Sequence, residues 1–158
     1  MPLSTKEIAK LGLMLAIIVA LTTIESMFSP MPHIKPGLAN IVILYCALGG
    51  KYKEAVILNV LKAIFVFLIR GAMAGLLSLC GGLLSVVVII LLARSKNASC
   101  SLISVSGAVA HNFGQLAIIM LLLATPALGY YMPVLLISGG AAGLLTGAIY
   151  KLLGERLL

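Results

Sequence analysis

The sequence predicts an all-α, polytopic membrane protein: a six-transmembrane-helix bundle forming a single transmembrane domain over residues 1–158. Three observations carry that prediction. Of the 158 residues, 62% are hydrophobic and only 9% charged, which is more apolar surface than a soluble domain of this size can bury. The apolar stretches are continuous and do not alternate every second residue, which favours helices over a barrel. The basic residues sit between those stretches and form no aromatic-studded patch. The net charge of +7 therefore reads as orientation signals and attraction to membrane lipid, with no nucleic-acid partner.

The spans fall at 7–27, 38–50, 53–69, 72–93, 102–124 and 133–153. Span one follows Lys6 and Lys10, lacks a small-x-small cleavage site and is followed by Glu25 and further spans, so it reads as a retained helix and not a signal peptide. Gly12, Ala16 and Ala20 recur every four residues and predict a smooth stripe for close helix approach. Either a neighbour within the bundle or a separate docking subunit fits that stripe. Further along, Thr22, Glu25, Ser26 and Ser29 share one arc, which points to an outer cavity; for Glu25 a place in interfacial water fits as well.

The stretch 28–37 holds Pro30, Pro32 and Pro36 and predicts a stiff loop. Pro36 suits the first turn of span two, whose positive end would lie near Lys35 and Asn40 and offer an anion site or a plain connector. Span two would reach only ~20 Å against a ~30 Å hydrocarbon core, so whether it crosses fully is open.

Span three carries Asn59 and Lys62 one turn apart, with Arg70 near its end on the Asn59 face. Lys62 lies ~14 Å from the helix start, close to mid-membrane, where its stem cannot easily snorkel. It pairs with Glu25 or holds an anionic group. Spans four and six bring Gly71, Gly75, Gly81 and Gly82, and Gly139, Gly143 and Gly147, for close packing. Tyr130 and Tyr131 precede span six at a membrane interface.

Span five is the most informative. Between Leu102 and Ala124 no residue is charged, yet His111, Asn112 and Gln115 stand well inside it. Gln115 projects about 40° from His111 and about 60° from Asn112, so the three crowd one arc, which Ser104 shares. Polar groups at that depth must face protein, water or ligand. They are read as lining a cavity.

Lys6, Lys10, Lys51, Lys53, Arg94, Lys96, Lys151 and Arg156 fall on one side of a six-span topology, against Lys35 and Arg70 on the other. The basic side is expected to be cytoplasmic, with both termini there. Cys46, Cys80 and Cys100 have no paired spacing, and with His33 and His111 far apart no metal site is expected. The cysteines read as packing residues.

At Pro36-Gly37-Leu38-Ala39-Asn40, Lys53-Glu54-Ala55 and Gly107-Ala108-Val109-Ala110-His111-Asn112-Phe113-Gly114-Gln115, the chain resembles a family known both as Gx transporter and as heptaprenyl diphosphate synthase component I. That family in turn is similar to the substrate-binding S components of energy-coupling-factor (ECF) importers. The resemblance implies six helices, a pocket open to the outside, and an Ala-xxx-Ala docking motif on helix one, matched by Ala16 and Ala20. It also implies a transmembrane coupling subunit and two ATPase subunits as partners, and a flavin- or quinone-related role.

The synthase label meets a chemical obstacle in the residues. Prenyl diphosphate synthases gather several aspartates around magnesium, and this chain has none; its four acidic residues are Glu7, Glu25, Glu54 and Glu155. No nucleophile–base pair or phosphate loop is present either, so no enzyme activity, catalytic residue or cofactor is expected. The leading expectation is a substrate-capture subunit in the bacterial plasma membrane. His111, Asn112, Gln115, Asn40 and Asn59 would hydrogen-bond the ligand, with Lys62 and Arg70 neutralising its charge. The rivals are a non-catalytic scaffold in prenyl, quinone or flavin metabolism, where the polar groups only glue helices, and a solitary proton-driven carrier titrating at His111 or Glu25.

Overall fold

The computed structural model describes residues 4–28, 37–95 and 97–157, without the side chains of Ser26, Phe28 and 153–157. The proline-rich loop with Lys35 and Pro36 lies outside the described residues, as does Lys96. Six α-helices follow one another: α1 (Thr5–Phe28), α2 (Asn40–Leu48), α3 (Tyr52–Arg70), α4 (Ala72–Ala93), α5 (Cys100–Leu123) and α6 (Met132–Leu157). A 3-10 turn over Pro126–Tyr131 leads into α6.

The helix ends follow local chemistry. Ser4 and Glu7 form a capping box at the start of α1, the carboxylate accepting the Ser4 N–H at 2.7 Å while the Ser4 hydroxyl oxygen accepts the Glu7 N–H at 3.3 Å. Ser99 caps α5 by accepting the Leu102 N–H at 3.2 Å. A single residue, Gly71, joins α3 to α4 at φ +89°, a conformation that side chains with a Cβ rarely adopt.

The helices α3, α4, α5 and α6 pack in sequence, each against the next. The short α2 wedges among α3, α4 and α6, and buries Val42, Ile43, Leu44, Cys46 and Ala47. A helix apolar on every face can only be stable when enclosed in this way. By contrast α1 leans mainly on α3 and α2, through Leu11, Met14, Ile18, Thr22 and Glu25. Their spacing of three and four residues makes one stripe.

Polarity is inverted relative to a water-soluble protein. Glu25, Asn59, Lys62, Ser78, Ser85, Ser104 and Thr146 are buried, whereas Leu13, Ile17, Leu68, Val87, Leu91, Leu121, Ile137 and Leu144 are exposed. Apolar surface that extensive needs lipid around it. Among the described residues, four stretches are long and apolar enough to cross a membrane: residues 5–25, 72–93, 100–123 and 126–152. They bear out a membrane-spanning helical bundle, while the expected count of six spans is not confirmed by them. With nine residues α2 is only ~14 Å long, short of a ~30 Å hydrocarbon core. The 19-residue α3 has the length to cross, but Lys53, Glu54, Lys62 and Arg70 reduce its apolar character.

Candidate functional site: a polar cavity beyond the end of the short helix

The cavity follows from the shortness of α2. Where a full-length second helix would continue past Asn40, the other helices surround an open space of about 360 Å³. Its floor is Gly37, Ala39 and Asn40; its walls are the halves of the five longer helices that lie away from the first turn of α1. That volume lies near the lower end of the ~300–1,000 Å³ typical of small-molecule sites.

Lys62, His111, Asn112, Gln115 and Asn40 all line this space, so helices α3 and α5 converge on it. Glycines make the convergence geometrically feasible. A Cβ on Gly81 of α4 would lie 2.6 Å from the His111 carbonyl oxygen and 2.7 Å from Gln115 Cγ. A Cβ on Gly139 of α6 would lie 2.8 Å from Asn112 Nδ2. Only hydrogen at these positions lets α4 and α6 close on α5 so that its polar arc faces inward.

Lys62 is 6% exposed and donates one hydrogen bond, to Asn40 Oδ1 at 2.6 Å. The expected alternative, pairing with Glu25, is not what holds it: no Lys62–Glu25 contact within 4.0 Å is formed. Glu25 instead accepts the Ala39 N–H through Oε1 at 3.1 Å, at the start of α2. The carboxylate thus meets the positive end of a helix dipole and has its charge offset there. An ammonium can donate three hydrogen bonds, and at this burial one neutral partner leaves its charge largely uncompensated. His111 Nδ1 is likewise buried without a partner.

Other expected site residues are placed differently. Asn59 does not line the cavity; it is wholly buried against Gly82 of α4, and neither amide atom has a hydrogen-bond partner. Its amide is turned to α4. Arg70 is exposed and reaches the cavity only at its rim. Ser104 donates to the Gly143 carbonyl at 2.7 Å and ties α5 to α6, so its shared arc with His111 does not make it a cavity group. Asn112 does both, donating to the Leu135 carbonyl at 2.8 Å while bordering the space. Thr22 and Glu25 border the space, as their shared arc predicts, and so do Ser78 and Ala39, whose places there the sequence did not reveal. For Thr22, Glu25 and Ser78 the signal was a polar residue set in an apolar helix; the Ala39 amide gave none.

Gly12, Ala16 and Ala20 are exposed, and a Cβ on Gly12 would meet nothing within 4 Å. The stripe therefore faces away from the bundle. Packing against a neighbour within the chain, one of the two expected uses, is not made. Among the described residues, no three His, Cys, Asp or Glu side chains gather as a metal site requires.

Apolar walls turned to lipid, glycine-mediated contacts and a polar interior cavity define a helical membrane-protein bundle. The profile of the heptaprenyl diphosphate synthase component I family matches residues 14–153, and the chain belongs to that family. No curated protein and no solved structure shows significant similarity to it.

Proposed function

We propose that this protein captures a small anionic molecule in the bacterial plasma membrane and acts as the S-component-like subunit of an ECF-type importer. The observation that carries this reading is Lys62: a buried ammonium bordering a 360 Å³ cavity with a single neutral hydrogen-bond partner. Leaving such a charge uncompensated is costly, and an anionic ligand group would supply what the chain does not. His111, with an unpaired buried nitrogen, and Gln115 and Asn112 beside it would read the ligand's polar edges. A mismatched molecule would leave those groups unsatisfied, which is a source of selectivity.

In this reading the chain makes six passes with both termini cytoplasmic. Antiparallel pairing of α1 with α2 supports it: Glu25, near the end of α1, bonds the start of α2, and Met14 Sδ accepts from Cys46 Sγ at 3.6 Å lower down. The exposed stripe on α1 would dock a transmembrane coupling subunit served by two ATPases. The family description favours a second reading, a non-catalytic membrane partner of a prenyl diphosphate synthase. The absence of aspartate from the sequence limits any such role to an accessory one.

Calorimetry tests the capture reading with the molecule that copurifies with the protein. Lys62→Ala and His111→Ala are each expected to weaken its binding, Lys62→Ala by about 30-fold or more. Retention of full affinity by both variants contradicts the assignment.

A further inference from the structure

The cavity carries a second buried charge whose placement specifies the ligand further. Glu25 is 4% exposed and borders the same space as Lys62. Two opposite buried charges in one small cavity would ordinarily close into an ion pair. Here they do not touch, because consecutive residues at the start of α2 hold them apart. Asn40 Oδ1 takes Lys62 Nζ at 2.6 Å, and the Ala39 N–H binds Glu25 Oε1 at 3.1 Å.

Thr22 lies one turn before Glu25 on the same face of α1 and borders the same space. A membrane-embedded threonine usually turns its hydroxyl back on its own helix, as Thr23 does to the Val19 carbonyl and Thr146 to the Ala142 carbonyl. The Thr22 hydroxyl is buried, 5% of the residue being exposed, and has no hydrogen-bond partner. An acceptor pair, one carboxylate and one hydroxyl, therefore stands on the α1 wall, with the Lys62 donor on the α3 wall. A simple anion drawn to Lys62 would be repelled by Glu25. A molecule bearing both signs would be attracted at each end.

From this juxtaposition we infer that the ligand is a small amino-acid-type zwitterion, its anionic group facing Lys62 and its protonated amine facing Glu25 and Thr22. The inference rests on the capture reading and changes its ligand from a simple anion to a molecule whose anionic group is accompanied by an amine.

Thermal unfolding of the detergent-purified full chain tests it with three matched probe series: the standard α-amino acids, their N-acetyl derivatives, which are anions only, and their carboxamides, which are cations only. At least one free amino acid is expected to raise Tm while its two derivatives do not. Glu25→Gln retains an acceptor for the Ala39 N–H and is expected to shift preference towards the N-acetyl acid by about tenfold or more. Thr22→Val keeps the side-chain shape and is expected to weaken the free amino acid several-fold. N-acetyl acids that stabilise the wild type as well as free amino acids do, or a free series with no effect, overturns the zwitterion assignment. A copurifying anion without an amine, retained only when Lys62 is present, would overturn it while leaving the capture reading standing. Absence of both a bound molecule and any Tm shift would end both.

Discussion

Lys62 and Asn59 lie one turn apart on the same apolar helix, yet they have different environments. Lys62 reaches a cavity and a partner on α2, whereas the Asn59 amide is pressed against Gly82 with both polar atoms unpaired. Depth in the span, legible from the sequence, marked both as unusual. Which neighbour each faced was not legible, because an angle on one helix does not say what packs beside it. Asn59→Leu is expected to leave ligand affinity within about twofold, as for sites that share no partner. It is also expected to hold or raise Tm, because it removes two unsatisfied buried groups. A calorimetric titration beside a thermal melt checks both halves; a large loss of affinity would place Asn59 in the binding machinery after all.

The elements repeat that division between what pattern reveals and what packing decides. The polar arc of α5 was legible because His111, Asn112 and Gln115 interrupt an uncharged run, and the shortness of the second span because its apolar stretch is brief. That the shortness itself makes the cavity became clear only once the five longer helices were arranged around it. The glycines of α6 were readable as a close-packing face, and they set the α5–α6 distance. A Cβ on Gly143 would lie 2.5 Å from Val105 Cα, a backbone atom with no rotamer through which to yield. Gly143→Ala should therefore separate the helices and destabilise the protein by about 1–3 kcal/mol. Chemical denaturation reads that change, and an unchanged midpoint would mean that the crossing is looser than described. Ser104, bonded to the Gly143 carbonyl, belongs to this contact; angular projection alone grouped it with His111.

Over the whole molecule, α1 presents two faces with different roles. Its inner face carries Thr22 and Glu25 to the cavity, and its outer face exposes Gly12, Ala16 and Ala20. The small-residue spacing was visible in the sequence, but its direction was not, since either face of α1 could have met the bundle. Because the stripe is exposed, Ala16→Leu and Ala20→Leu should leave stability unchanged within ~0.5 kcal/mol, as typical surface substitutions do. Each should abolish copurification of a coupling subunit if that partner docks there. Loss of stability in either variant would show that the stripe is packed, and an intact complex would move the docking face elsewhere. A soluble synthase recovered in place of a coupling subunit would favour the accessory reading.

In the proposed function, Lys62 and the α5 polar arc together hold a small molecule. Native mass spectrometry of the purified wild-type protein beside Lys62→Met tests it most directly. A small-molecule adduct is expected on the wild type, and Lys62→Met is expected to lose it while remaining folded. A wild-type protein with no adduct, or an adduct that persists undiminished in Lys62→Met, would contradict it.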